Sequence, residues 1–152
     1  MKIGVISDTH GLLRPQAVAA LQGVHHILHA GDIGELHILH QLRTIAPVTA
    51  IRGNVDTDAA FRHLPETDVV ELGGKLFYLI HNVKALDLVP AAGGFAAVIS
   101  GHSHKSAIEW NKNVLFFNPG SAGPRRFSLP VSVGLITLTD EQLHPQIIEI
   151  QV

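Results

Sequence analysis

Five short segments of the chain carry aspartate, histidine and asparagine side chains of the types that hold metal ions. In chain order these residues are Asp8, His10, Asp32, Asn54, His81, His102 and His104. Each segment follows an apolar run that is typical of a buried strand. Imidazole and carboxylate groups together suit Mn, Fe, Zn, Co or Ni better than Mg or Ca, and Asn54 would add a neutral carbonyl oxygen. The residue types therefore favour a transition-metal site.

These side chains are enough for two divalent ions if one carboxylate is shared. Asp32, isolated between glycines, is the natural bridge. With Asp8 and Asp32 ionised, two ions keep a positive excess that attracts phosphate oxygens. Such a pair acidifies a bridging water and holds the attacking and leaving oxygens of an in-line displacement. The chemistry predicted is hydrolysis of a phosphate ester.

Strands and helices must bring these segments to one place. Apolar and alternating runs predict strands over residues 2–7, 24–30, 48–52, 68–72, 75–81, 95–100, 107–110, 115–118, 132–138 and 146–151. Helices are predicted over residues 15–22 and 35–45, and over residues 83–92 with an interruption near Pro90. A short helical turn is predicted up to residue 61. Early crossovers followed by hairpins indicate a mixed α/β class, in which two sheets pack face to face under outer helices. Sites in open α/β sheets form beyond the carboxyl ends of strands, where all the candidate ligands lie.

Composition narrows the setting of such a site. A chain of 152 residues suits one domain, here taken as residues 1–152. The net charge of −2 without a basic run argues against a nucleic-acid surface or a membrane-binding patch, and the absence of cysteine excludes thiolate zinc sites. The first apolar stretch is too short for a signal peptide, so a cytoplasmic protein is expected. Only 16% of residues are charged, which indicates a possible homo-oligomer.

The ordered motifs resemble a known family. Asp8-x-His10, Gly31-Asp32, Gly53-Asn54-x-Asp56, His81 and Gly101-His102-x-His104 resemble the calcineurin-like metallophosphoesterase superfamily, and its small YfcE-type phosphodiesterases in particular. The resemblance implies a four-layer αββα sandwich of two mixed sheets flanked by helices. It also implies two ions, with Mn²⁺ first and Fe, Zn, Co or Ni as alternatives. One ion would be held by Asp8, His10, Asp32 and His104, and the other by Asp32, Asn54, His81 and His102.

Two positions depart from the family pattern. Val55 stands where larger members have the histidine that is credited with protonating the leaving group. No catalytic side chain is therefore assigned: the nucleophile would be a metal-bridging hydroxide, with Asp56 a candidate for a supporting role. Ile80-His81-Asn82 replaces the usual Gly-His-Gly or Gly-His-Asp, which leaves the shape of that loop open.

Further residues are assigned by the same resemblance. Asn118, Ser121, Arg125 and Arg126 are predicted to bind a small phosphodiester substrate, since arginine offers phosphate a planar fork of donors. His29 either orients a ligand from behind or is a hydrogen-bonded core residue. Taken singly, an aspartate after a strand is as often a helix cap as a metal ligand.

The alternatives to a phosphodiesterase are a phosphomonoesterase or nuclease on the same metals. A non-catalytic interaction scaffold of this fold is a further alternative, as in the eukaryotic retromer subunit.

Overall fold

The computed structural model describes all residues from 1 to 152, in which ten strands and two helices follow the apolar runs of the sequence. The strands are β1 (Lys2–Ile6), β2 (His26–His29), β3 (Val48–Ala50), β4 (Thr67–Leu72), β5 (Lys75–Ile80), β6 (Phe95–Ile99), β7 (Ala107–Asn111), β8 (Val114–Asn118), β9 (Ser132–Thr139) and β10 (Gln142–Glu149). The helices are α1 (Pro15–Ala20) and α2 (His37–Arg43), and 3₁₀ turns cover Ala59–Phe61 and Val83–Ala85. No helix is long and apolar enough to cross a membrane.

The strands form two five-stranded sheets. The first has the order β10-β9-β1-β2-β3, with β1, β2 and β3 parallel and β9 antiparallel to β1. The second has the order β4-β5-β6-β8-β7, with β5, β6 and β8 parallel and the edge strands antiparallel. Both sheets are therefore mixed, as predicted, and the α/β class is confirmed.

The core follows the period of two along each strand. On β1, Ile3 and Val5 point between the two sheets, whereas Ile6 packs under the helices. The layer between the sheets also contains Phe77 and Phe117, both almost fully buried. Burying side chains of this size contributes roughly 1.5–3 kcal/mol each, so this layer fixes how the two sheets face each other.

The third predicted helix, over residues 83–92, is wrong. Only Val83–Ala85 form a 3₁₀ turn, which Asn82 caps by accepting a hydrogen bond from Lys84 N–H. Pro90 lacks an N–H donor and Gly93 and Gly94 follow it, so the helix cannot continue. The outer face of the second sheet is consequently covered by a loop through Leu86 and Leu88 rather than by a full helix.

The last strand begins four residues earlier than predicted. Asp140 and Glu141 adopt φ values of 50° and 64°, which makes them a two-residue turn between β9 and β10. Such a turn is normally predicted from glycine or asparagine in the sequence, and neither residue occurs at these two positions. Pro145 is tolerated inside β10 because β10 is an edge strand.

Candidate metal centre

The candidate ligands meet where the carboxyl ends of the parallel strands of both sheets face each other. Asp8, Asp32 and Asn54 follow β1, β2 and β3, while His81 and His102 follow β5 and β6. Backbone hydrogen bonds join neighbouring loops: Asp8 N–H donates to Gly31 O at 3.0 Å, and Gly101 N–H to His81 O at 2.9 Å. The ligand loops are thus fixed to one another before any side chain is considered.

Five of the seven side chains form one tight cluster. Asp8 Oδ1 lies 3.7 Å from His10 Nε2, 3.8 Å from His81 Nε2 and 3.4 Å from His104 Nε2. Asp32 Oδ2 lies 3.6 Å from His10 Nε2 and 3.2 Å from His81 Nε2. Ligands with bonds of about 2.1 Å lie about 3.0 Å apart at right angles and about 3.4 Å apart in a tetrahedron. The separations in the cluster, 3.2–3.8 Å, are close to these values, so its atoms could surround a cation.

Asn54 and His102 form the outer part of the same site. Asn54 Oδ1 is 3.3 Å from His102 Nδ1, and the His102 ring packs edge-on against His81 with centroids 5.2 Å apart. Both residues are exposed, whereas Asp8, Asp32, His81 and His104 are buried. The seven predicted residues therefore line one site with a closed base and an open rim, and their metal binding stays a prediction.

Three buried side-chain atoms in the cluster lack any hydrogen-bond partner. They are Asp8 Oδ1, His81 Nε2 and His104 Nδ1. A buried carboxylate oxygen without a donor is costly, and an ion would remove that cost. Two groups of residues have ligand atoms within 4.8 Å of one another: Asp8, His10 and His104, and Asp8, Asp32 and His81. The residues present thus fit divalent cations, with Asp8 common to both groups.

Hydrogen bonds behind the ligands fix which atoms face the site. Asp8 Oδ2 accepts from Ser7 Oγ at 2.7 Å and from His102 N–H at 3.0 Å, which leaves Oδ1 free. His81 Nδ1–H donates to Ala30 O at 2.7 Å, so that Nε2 carries the lone pair that faces the cluster. Asp32 Oδ1 accepts from Val55 N–H at 3.0 Å.

The charges of the cluster shift its pKa values. Burial alone raises the pKa of Asp32, but the adjacent His81 imidazole and the hydrogen bond from Val55 N–H outweigh it, so that this pKa is lowered. Burial alone lowers the pKa of His81, but the adjacent Asp32 carboxylate and the hydrogen bond to Ala30 O raise that pKa above its usual value. A metal ion therefore competes with a proton for His81 Nε2. Burial lowers the pKa of His104, and the charges of Arg126 and His10 lower it further.

The backbone of the ligand loops is strained. Asp8, His10, Asp32, His102 and His104 all adopt positive φ, between 45° and 71°. Non-glycine residues enter this left-handed region rarely, and such residues concentrate at functional sites. Here the strained positions coincide with five of the seven candidate ligands.

Asp56 ties two ligand loops together. Its buried carboxylate accepts from Gly34 N–H at 3.0 Å through Oδ1, and from Ile33 N–H at 3.0 Å and Gly53 N–H at 2.9 Å through Oδ2. The first two donors follow Asp32 and the third precedes Asn54. Asp56 thus holds the loop of Asp32 against the loop of Asn54 and so positions these two candidate ligands.

His29 forms a second tie, between the loops after β1 and β2. Thr9 Oγ1 donates to Ile33 O at 2.8 Å, so it accepts from His29 Nε2–H at 3.1 Å. His29 Nδ1 accepts from Gly31 N–H at 3.1 Å. Burial, reinforced by His81, lowers the pKa of His29 to about 3. His29 is therefore a neutral core residue whose ring nitrogens are both occupied.

The predicted substrate-binding residues divide into two kinds. Asn118 is buried, with its amide donating to Gly101 O and Ser103 Oγ and its carbonyl accepting from Gly120 N–H. Ser121 Oγ donates to Asp8 O at 3.1 Å. These contacts place Asn118 and Ser121 behind the ligand loops, while Arg125 and Arg126 are exposed in the loop before β9. Their binding of substrate stays a prediction.

Two residues that support the ligands were not predicted from the sequence. Ser7 and Thr9 flank Asp8 and carry no recognisable signal. The glycines before the ligands were the usable signal: a Cβ on Gly101 would overlap Ser7 Oγ and come within 2.6 Å of Asp8 Oδ2, and one on Gly31 would come within 2.8 Å of His81 Nδ1. Glycine at these two positions lets the two sheets approach at the site.

Comparisons with known proteins agree with this site. Residues 1–141 match the calcineurin-like phosphoesterase superfamily domain. The chain is 35% identical over 160 residues to a probable metallophosphoesterase of Methanothermobacter thermautotrophicus, covering 97% of this chain and 92% of that protein. It is 26% identical over 179 residues to the phosphodiesterase YfcE of Escherichia coli K12, covering 97% of each.

Solved structures share the fold. A structure described as that of a novel archaeal phosphodiesterase superposes with a TM-score of 0.80 at 23% identity, covering 97% of this chain and 100% of that one. Vps29 of Entamoeba histolytica, complexed with Zn²⁺, superposes with a TM-score of 0.74 at 24% identity, covering 98% and 99%. Fold and site together define the class of hydrolases that act on phosphoesters. The chain belongs to the calcineurin-like phosphoesterase superfamily, which confirms the resemblance drawn from its motifs.

Proposed function

We propose that this chain is a phosphodiesterase that depends on two divalent ions, with Mn²⁺ as the first candidate. The observation that carries the proposal is the cluster at the sheet ends, in which buried Asp8 Oδ1 and His81 Nε2 have no partner within the protein. Relatives named phosphodiesterase and metallophosphoesterase support the same chemistry.

The side chains divide the work of such a centre. Two carboxylates and four imidazoles would hold the ions, and Asn54 would add a neutral oxygen. Bound divalent ions would lower the pKa of a water so that it supplies the hydroxide nucleophile, and would add positive charge for the phosphate oxygens. Asp8 and Asp32 offset only part of that charge, so an anionic diester is still attracted. Exposed Arg125 and Arg126 would reach the non-bridging oxygens from the rim.

Protonation of the leaving group is the weak step in this proposal. Val55 has no proton to give, and the Asp56 carboxylate accepts three backbone N–H bonds, so it is unsuited to act as an acid. Esters with good leaving groups should therefore react fastest, because a stable leaving anion needs no proton.

We also propose the substrate and the cellular location that the sequence predicts. The substrate would be a small phosphodiester and the protein would act in the cytoplasm. It would have no dedicated surface for nucleic acid or membrane. Self-association would use exposed apolar side chains such as Phe127, which is 90% exposed.

The test uses metal-stripped protein reloaded with Mn²⁺. The proposal expects hydrolysis of bis(p-nitrophenyl) phosphate and little hydrolysis of p-nitrophenyl phosphate; the reverse preference would make the protein a phosphomonoesterase. If Asp32 is the shared ligand, as the sequence predicts, Asp32→Ala should lose both ions and His104→Ala only one, as measured by elemental analysis. Loss of one ion in Asp32→Ala and of both in Asp8→Ala would make Asp8, which both ligand groups contain, the shared ligand. Asp58→Ala is the matched control, since Asp58 is exposed and its side chain caps nothing. Protein that bound no Mn²⁺ or Zn²⁺ and cleaved no activated diester would favour the scaffold alternative.

A further inference from the structure

A groove of about 450 Å³ opens directly from the candidate metal centre. We call it the side groove. Asn54, His81 and His102 form its inner end, and from there it runs along β5 under the 3₁₀ turn Val83–Ala85. Its volume lies within the range of small-molecule sites, which is about 300–1,000 Å³. A larger groove, of about 610 Å³, is lined by none of the candidate ligands and cannot present a phosphate to them.

The side groove has an apolar floor and a polar rim. Tyr78 and Ile80, both buried in the outer face of the second sheet, form the floor. Arg52, Glu66, Asn82 and Asp87 form the rim, and Arg52 Nη2 lies 3.4 Å from Glu66 Oε1. A flat ring suits the floor, and hydroxyl groups suit a rim that offers both donors and acceptors.

The charge of the rim determines which chemical groups beside the phosphate of a substrate can enter the side groove. Glu66 and Asp87 face the groove with one cation, Arg52, which is already paired with Glu66. A second phosphate on the substrate would be repelled by Asp87, whereas hydroxyl groups can donate to its carboxylate.

We infer that the side groove binds one alcohol group of the phosphodiester, and that this group is a neutral, ring-bearing and hydroxylated alcohol of the nucleoside type. The inference rests on the proposed function, because the phosphate must lie at the metal centre for its ester group to enter the groove. The inference adds to the proposed function the chemical class of one alcohol that is esterified to the phosphate.

The experiment compares p-nitrophenyl esters that share one leaving group. The second alcohol is methanol, phenol or the 5′-hydroxyl of thymidine, so differences in kcat/KM report the groove rather than the departure of nitrophenolate. The Mn²⁺-loaded protein should hydrolyse the thymidine ester about tenfold or more faster than the methyl and phenyl esters, an effect of the size that one well-formed pocket contact gives.

A groove-filling variant tests the location. Ala85 lines the side groove and is exposed, so Ala85→Trp should fold normally and fill it. Lys84→Trp is the matched control, on the same turn but outside the groove. Ala85→Trp should reduce the preference for thymidine over methyl about tenfold, and Lys84→Trp should leave it unchanged.

The outcomes separate the two proposals. No hydrolysis of any ester would overturn the phosphodiesterase function itself. Hydrolysis of the methyl ester without a thymidine preference, an equal preference for phenyl, or a preference that survives in Ala85→Trp would overturn the side-groove inference alone.

Discussion

Replacing Asp56 by asparagine should weaken both the fold and the metal centre. The carboxylate accepts from Ile33, Gly34 and Gly53 N–H at 2.9–3.0 Å. With the amide nitrogen turned toward Gly34, Asp56→Asn loses that bond and removes charge from the other two. A hydrogen bond to a charged group contributes roughly 1.5–3 kcal/mol and a neutral one roughly 0.5–1.5 kcal/mol. The lost bond and the two weakened bonds together predict a loss of roughly 3.5–6 kcal/mol.

The assay has two readouts. Urea unfolding of the metal-free proteins gives the loss of stability, and titration of the folded proteins with Mn²⁺ gives the affinity. Since Asp56 holds the loops of Asp32 and Asn54 together, the affinity should fall about 10–100-fold, as for other groups behind metal ligands. Asp58→Asn is the matched control: it carries the same change two residues away, on an exposed side chain that caps nothing. It should shift stability by less than about 0.5 kcal/mol.

Two results would refute this reasoning. If Asp56→Asn unfolds at the same urea concentration as the parent, the three hydrogen bonds do not hold the loops. If it loses stability but binds Mn²⁺ with the affinity of the parent, Asp56 stabilises the fold without positioning the ligands.

Three further perturbations test the site. His29 has a pKa of about 3 in the fold against 6.5 ordinarily, so the unfolded chain binds the extra proton between these values; stability of the metal-free protein should fall with falling pH there, by up to about 1.4 kcal/mol per pH unit. His29→Gln should remove this share of the slope in urea titrations at several pH values, and identical slopes would contradict a neutral buried His29. Hydrolysis by the Mn²⁺-loaded protein should fall in acid because protons compete with the metal for imidazole ligands, whereas a pH–rate profile flat to about pH 4 would contradict ligation by histidine. Gly101→Ala should lower the free energy of unfolding in urea by roughly 1–3 kcal/mol and weaken Mn²⁺ binding, because the new Cβ would overlap Ser7 Oγ. In the control Gly94→Ala the new Cβ would meet nothing within 4 Å, so Mn²⁺ binding should stay unchanged. Equal Mn²⁺ affinities of Gly101→Ala and the parent would refute the close approach of Gly101 to Ser7.

Periodicity and ligand chemistry were enough to predict most of this molecule. Apolar alternation located nearly every strand, because burial on one face of a sheet imposes a period of two. The ordered motifs identified the candidate ligands, since carboxylate and imidazole at successive strand ends have few other uses. The helix over residues 83–92 failed because apolar content there serves to cover the outer face of the second sheet, and Pro90 stops a helix whatever the spacing.

Other parts of the site depend on contacts between distant segments. The motifs single out Asn118 and Asp56, but the hydrogen-bond partners of these residues follow from the register and packing of the strands. No local pattern reports that Asn118 will meet Gly101, or that Asp56 will meet Ile33. In the structure Asn118 and Ser121 support the ligand loops, and their binding of substrate stays a prediction.

The left-handed backbone at the candidate ligands explains why the ligand loops need supporting residues. A non-glycine residue with positive φ costs of order 1–3 kcal/mol, and five candidate ligands adopt it. The loops keep that conformation only because other groups determine their course: Asp56 and His29 hold the Asp32 loop, Asn118 holds the loop of His102, and Ser121 holds Asp8. A chain that needed only stability would relax these loops and pair Asp8 Oδ1 with a donor. The strain and the unpartnered oxygen together are what a site prepared for cations requires.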